Sequence, residues 1–227
     1  MQHFRLIREG IDTGPFLAEI EANAELWSLD TSRQEKITTQ RETETITLRS
    51  HADQASIDSR VRRARPVGYK GRPSPVASHL PLINAFVDDL VQSMDGSPGR
   101  VVMTKLRPHG RIFPHTDDGL YWLLRDRYHL VVKSVAGSHF KAGGEEVRMR
   151  TGELWWFDPT VLHEAFNESD DHRIHVIADV LSRQSLGTFR KRLVRSPLRS
   201  LRAFSNALTK GVALAIRERF SGFSAAS

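Results

Sequence analysis

His115-Thr116-Asp117, then His163 with 45 residues between it and Asp117, then Arg173 ten residues further on, are the side chains of this chain best placed to do chemistry. Residues i and i+2 of a strand point to one side, about 6.6 Å apart, so His115 and Asp117 can reach one metal ion while Thr116 faces away. With His163 they make a set of two imidazoles and one carboxylate that leaves coordination positions open, which suits non-heme Fe(II). A guanidinium fork holds a carboxylate through two parallel charge-assisted hydrogen bonds, which an ammonium cannot imitate. Arg173 therefore suits an acidic co-substrate such as 2-oxoglutarate.

Strand-like segments must hold these residues. Residues 101–107 read as a strand, 108–110 as a turn, and 112–114 lead into His115; 128–135, 147–150, 154–157 and 173–180 read as further strands between Gly and Pro turns. Several short strands at this spacing predict a sandwich or jelly roll rather than a helical or Rossmann-type fold. Arg173, His175, Ile177 and Asp179 share one face of the closing strand and read as the wall of a polar pocket, because buried polar groups need partners. In residues 39–49 Thr43, Thr45, Thr47 and Arg49 share one face, and a threonine-rich face predicts exposure. Arg107, Arg111, Arg125 and Arg127 are expected to cluster at the mouth of the site as carboxylate binders. Helices near 15–27 and 79–94 should brace the sheet, and 60–72, with five arginines, reads as a mobile loop over the site. Adjacent Trp155 and Trp156 should face opposite sides of one sheet. His3, His51, His79, His109, His139 and His172 read as solvated surface.

Lys105-Leu106-Arg107-Pro108, Phe113-Pro114-His115-Thr116-Asp117, Arg125-Asp126-Arg127-Tyr128-His129-Leu130, Gly152-Glu153-Leu154-Trp155-Trp156-Phe157-Asp158, His163-Glu164, Asn167 and Arg173-Ile174-His175-Val176 together resemble the aspartyl/asparaginyl β-hydroxylase family. Some bacterial free-proline hydroxylases are close in layout. The resemblance implies a mainly β fold with flanking helices, a double-stranded β-helix of jelly-roll, cupin-like type. It also implies an Fe(II)- and 2-oxoglutarate-dependent dioxygenase. Such an enzyme uses O2 to hydroxylate an aliphatic C–H of an amino-acid-like substrate, free, in a peptide or carrier-bound, and releases succinate and CO2. Position by position, it implies that His115, Asp117 and His163 hold the iron and that Arg173 binds the distal carboxylate of 2-oxoglutarate, assisted by Thr104. His129 would contact the co-substrate at its metal-binding end, Arg127 and Arg125 would face co-substrate or substrate, and Arg41 and Arg49 would border the substrate entrance.

Composition excludes other classes. The 227 residues include no cysteine, which removes disulfides and thiolate ligands and fits a cytoplasmic protein. There is no P-loop, dinucleotide fingerprint or Ser-His-Asp signature, no signal-peptide pattern and no apolar run of about 20 residues. The net charge of +6 is unevenly placed: residues 1–180 sum to −3 and residues 181–227 to +9. This predicts one oxygenase domain over 1–181 and a basic amphipathic helical extension over 182–227. Leu201, Phe204, Leu208, Val212 and Ile216 form an apolar stripe on a helix near 197–220. Packing of that helix on its own domain is the default expectation, with a dimer contact or a peripheral membrane contact as alternatives. Nucleic-acid binding is disfavoured by the slightly acidic main region. Two competing readings are a non-catalytic cupin-like metal or ligand binder and a nucleic-acid or membrane protein acting through the tail.

Overall fold

The structure, a computed structural model, describes residues 1–50 and 70–198 together with Leu201 and Ser205. Eleven strands and five α-helices are present among them: β1 (Phe4–Arg8), α1 (Gly14–Glu21), α2 (Ser32–Lys36), β2 (Thr43–Ser50), β3 (Arg72–Pro73), α3 (Pro81–Ser93), β4 (Ser97–Leu106), β5 (Arg111–His115), α4 (Leu120–Leu124), β6 (Asp126–Lys133), β7 (Ser138–Ala142), β8 (Glu145–Val147), β9 (Leu154–Phe157), β10 (His163–Asn167), β11 (Arg173–Leu181) and α5 (Arg183–Arg195). A seven-stranded sheet runs β1-β9-β6-β11-β4-β2-β3 and a four-stranded sheet runs β5-β10-β7-β8. All their pairings are antiparallel. Strands β4 to β11 are shared between the two sheets in the manner of a jelly roll, as the strand spacing predicts.

The large sheet is buried on both faces, and the strand period of two sorts its residues. Val101, Met103, Tyr128, Leu130, Val132, Leu154, Trp156, Ile174, Val176, Ala178 and Val180 face outward onto Ile83, Val87 and Leu90 of α3 and Ile20 of α1. Val131, Trp155 and Phe157 face inward and pack with Phe140, Ala142 and Ala165 of the small sheet. Trp155 and Trp156 thus enter different cores. Gly143-Gly144 closes the β7–β8 hairpin with φ of 58° and 86°, the doubly positive pair that a tight two-residue turn demands. Gly99 on β4 serves a close approach instead: a Cβ there would meet Tyr121 Oη and lie 2.9 Å from Arg125 Nε.

Three expectations change. The threonine face of β2 is buried, Thr43 at 1 % and Thr45 at 4 % exposure. His3 is buried against Gly143 and its carbonyl accepts the Asp158 N–H at 3.0 Å. The tail becomes helical earlier than its apolar stripe suggests. Ser182 starts α5 in a reciprocal capping box with Ser185, and the helix packs back onto α4 and β11. The stripe beyond Leu201 and the expected loop over 60–72, apart from its last three residues, lie outside the described residues. Among the described residues no helix is long and apolar enough to cross a membrane.

Candidate active site

His115 closes β5 and His163 opens β10, and the antiparallel register sets the two opposite each other. Their ring centroids are 4.2 Å apart. Each ring is fixed in the same way: His115 Nδ1 lies 2.7 Å from the carbonyl of Phe113, and His163 Nδ1 lies 2.9 Å from that of Val161. Only an N–H can face a carbonyl, so Nδ1 carries the proton and Nε2 keeps its lone pair. This is the tautomer of a metal ligand oriented by a second partner. Burial, joined by the neighbouring His115, pushes His163 down to about 4, so it is neutral at pH 7.

Asp117 does not join the imidazoles as the strand spacing suggests. Strand β5 ends at His115, so the two-residue period does not extend to Asp117, whose N–H donates instead to the carbonyl of Pro159 at 3.0 Å. Its Oδ2 accepts from Arg127 Nη1 at 2.5 Å. Burial raises its pKa, but Arg127, with His163, Arg100 and His115, outweighs that and holds the carboxyl below its usual range. Among the described residues no three His, Cys, Asp or Glu side chains are grouped closely enough to hold a metal ion. The structure therefore brings together His115 and His163, with an ionised Asp117 beside them turned toward Arg127.

Arg127 is the centre of a buried network. Its Nε donates to Asp179 Oδ1 at 2.8 Å, Asp179 Oδ2 accepts from Tyr121 Oη at 3.2 Å, and the guanidinium lies 4.4 Å from the Trp122 ring. Arg100 approaches the other carboxylate oxygen of Asp179 at 4.0 Å and the same Trp122 ring at 5.4 Å. Buried charges persist only when paired and hydrogen-bonded, and here two carboxylates flank one guanidinium. Sequence reasoning missed Arg100, Tyr121 and Trp122; no local pattern marks them, since they meet Arg127 only through the fold.

Arg173 is 5 % exposed, and among the described residues no carboxylate pairs with it. Burial alone acts on it and pushes its pKa down to about 10. Its Nε donates to His175 Nε2 at 3.0 Å, with Nη2 3.2 Å from Nδ1 of the same ring. Because arginine can only donate, the shorter contact makes His175 Nε2 the acceptor and Nδ1 the protonated nitrogen. His175 Nδ1 then donates to His129 Nδ1, 3.2 Å away, which leaves the proton of His129 on Nε2. That atom is buried and has no partner among the described residues. Registers set Thr43, Leu106 and Arg173 in one cross-strand row and Thr45, Thr104 and His175 in the next. Thr43 Oγ1 and Thr45 Oγ1 are likewise buried without partners.

The remaining arginines do not gather at one mouth. Arg107 is ion-paired with Glu42 at 2.9 Å in the turn before β5, at the end of that strand remote from His115; Glu42 also accepts the Arg111 N–H at 2.7 Å. Arg125 is 2 % exposed and stacked 4.2 Å over Tyr121. Arg49 is on the helix side of the large sheet, 2.7 Å from Asp88 of α3, because the strand bulges between Thr47 and Arg49. Arg41 lies 5.0 Å over Phe113, two residues before His115.

Burial lowers the pKa of His129 and His175 well below 6.5, helped by Arg127 and Arg173 for the first and by Arg173 and His129 for the second. All three lowered histidines bind a proton less tightly folded than unfolded. Below about pH 6.5 the unfolded chain therefore takes up protons that the folded chain refuses, and stability falls. Metal-free protein is expected to lose about 1.4 kcal/mol per pH unit for each such histidine, His163 contributing down to about pH 4. Denaturant unfolding at a series of pH values checks this; a profile flat from about pH 7 to 5 contradicts it.

Fold and paired imidazoles together define a class, the double-stranded β-helix with a histidine pair at one end of the barrel. A 2OG-Fe(II) oxygenase family protein from Burkholderia pseudomallei shares this fold, with a TM-score of 0.51 at 10 % identity over 79 % of this chain and 84 % of that one. A viral collagen prolyl hydroxylase from Paramecium bursaria Chlorella virus-1 aligns at a TM-score of 0.44 and 10 % identity, over 79 % of this chain and 96 % of that one. The aspartyl/asparaginyl β-hydroxylase family model matches residues 30–183, and the chain belongs to that family. Its function is accordingly of the hydroxylase kind. No curated protein is significantly similar to it in sequence.

Proposed function

We propose that the protein is an Fe(II)- and 2-oxoglutarate-dependent dioxygenase that hydroxylates an aliphatic C–H of an amino-acid-like substrate. The overall change is R–H + 2-oxoglutarate + O2 → R–OH + succinate + CO2. The observation that carries this reading is a set of buried polar groups on neighbouring strands that the described residues leave under-matched: Arg173, which has a histidine but no carboxylate as partner, His129 Nε2–H, and the hydroxyls of Thr43 and Thr45. Donors left unmatched in a closed interior are costly, and a dianion such as 2-oxoglutarate would satisfy them. Arg173 would grip its distal carboxylate with Thr104 nearby, and His129 Nε2–H would bond its other end.

The donor types, two imidazoles and a carboxylate, suit Fe(II), while Asp117 as it stands is turned toward Arg127 and the three are not grouped round one point. His115 and His163 present Nε2 lone pairs, and Asp117 would offer Oδ1 while Arg127 keeps Oδ2. When bound, Fe(II) with O2 and 2-oxoglutarate supplies the oxidant for C–H hydroxylation. The protein's own residues orient: Asp179 and Trp122 fix Arg127, which fixes Asp117. The test is incubation with Fe(II), ascorbate, 2-oxoglutarate and a panel of amino acids and peptides. Succinate should form in step with a product heavier by one oxygen. Failure to bind 2-oxoglutarate in the presence of a divalent metal would refute the reading.

A further inference from the structure

We infer that Arg192, on the C-terminal helix α5, is a positioning residue for the metal-binding carboxylate, acting through α4, Trp122 and Arg127. The inference rests on the reading of Asp117 as an iron ligand. It concerns a residue outside the stretch that the family model matches, which ends at residue 183.

Helix α4 has five residues and begins two residues after Asp118, at Leu120. A helix this short is not stable by itself, and its cap residue Gly119 makes no side-chain capping bond. Its carbonyl end is held from outside. Arg192 is 2 % exposed, and its Nη1 donates to the carbonyls of Trp122 at 3.2 Å, Leu123 at 3.0 Å and Arg125 at 2.8 Å. Its Nε donates to Asp158 Oδ1 at 3.0 Å, and its Nη2 lies 3.5 Å from Asp126 Oδ1. Arg195 braces the same Asp158 through Oδ2 at 2.9 Å. The planar fork spreads these contacts over two carboxylates and three carbonyls, a pattern that a lysine ammonium cannot span.

What α4 carries explains why the clamp matters. Trp122 presents its ring to Arg127 at 4.4 Å, and Tyr121 accepts the Arg100 N–H at 2.8 Å while donating to Asp179 at 3.2 Å. Asp179 holds Arg127 Nε, and Arg127 Nη1 holds Asp117. Trp122, which touches Arg127 directly, and Tyr121, which holds its partner Asp179, are therefore both mounted on α4. Arg192 ties the carbonyl end of α4 to α5 and, through Asp158, to the end of β9.

The test compares Co(II) binding, followed by visible absorption, in the full chain and in R192K, W122L and the double variant, with thermal melting alongside. Loss of an outer-shell partner of a metal ligand costs about 10- to 100-fold in affinity, and that loss is expected for R192K. W122L keeps the backbone carbonyl that Arg192 holds and removes only the ring against Arg127, so it should lose a similar factor. The double variant should be no weaker than the worse single by more than about twofold, because both substitutions break one chain of contacts. A purely structural Arg192 would lower the melting temperature of R192K without moving Co(II) affinity; that result, or losses that multiply in the double variant, overturns the inference. If the unaltered protein binds no Co(II), the iron-site reading itself fails; if it binds and neither single variant differs from it, only the inference fails.

Discussion

Alanine in place of His163 is expected to abolish 2-oxoglutarate turnover and to weaken divalent-metal binding by more than 100-fold, beyond the range seen for loss of an outer partner. His115→Ala should do the same. The expectation follows from the register that sets the two rings opposite each other at 4.2 Å and from the two carbonyls that fix both Nδ1 atoms as donors. A single remaining imidazole and a carboxylate already bound to Arg127 make a poor site. The fold should survive, since His163 sits among Phe140 and Phe157 at centroid distances of 6.2 and 5.2 Å, and losing a buried polar ring there removes a desolvation cost. Metal titration and succinate assays decide the point. Turnover within about tenfold of the unaltered protein in either variant would show that these histidines are not ligands.

Arg173→Met should separate binding from stability. Two charge-assisted hydrogen bonds at about 1.5–3 kcal/mol each amount to about a 100- to 10,000-fold loss of 2-oxoglutarate affinity, at 1.4 kcal/mol per factor of ten. The melting temperature should hold or rise. Replacing buried charged groups by apolar ones of similar volume is often neutral or stabilising, and burial alone lowers the pKa of this guanidinium. Against this stands His175 Nε2, which loses its donor at a cost of about 1–3 kcal/mol, so the net change is small or favourable. Calorimetric titration with 2-oxoglutarate beside a thermal melt reads both quantities. Unchanged affinity with a lower melting temperature would mark Arg173 as a structural residue.

Much of the architecture was legible because it is written at short range. Alternating residues between Gly and Pro turns give 154–157 and the closing run from Arg173 close to their observed limits, whereas the strand expected at 147–150 is Glu145–Val147 and β1, β7 and β10 were not read. The jelly roll follows from their number and spacing. His115 and Arg173 were legible at the ends of recognisable strands, whereas His163 was legible by its spacing alone, since the strand it opens was not read. Asp117 was legible as a candidate but not in its contact: the strand stops two residues short of it, and Arg127, ten residues along the chain, takes its carboxylate. The threonine face of β2 was misjudged because alternation shows that two faces differ, not which layer covers each.

The sequence by itself determined the residue types, the strand periods and the turn positions, hence which side chains share a face. Only the tertiary structure decided which face is dry and which charges meet. The bulge after Thr47 sends Arg49 to α3, Glu42 engages Arg107, and Arg192 is drawn from the basic tail into the protein by Asp158 and three carbonyls of α4 and its end. The physical reason is range. Periodicity arises from neighbouring dihedral angles, whereas burial and ion pairing arise from groups brought together across tens of residues by the closing of two sheets.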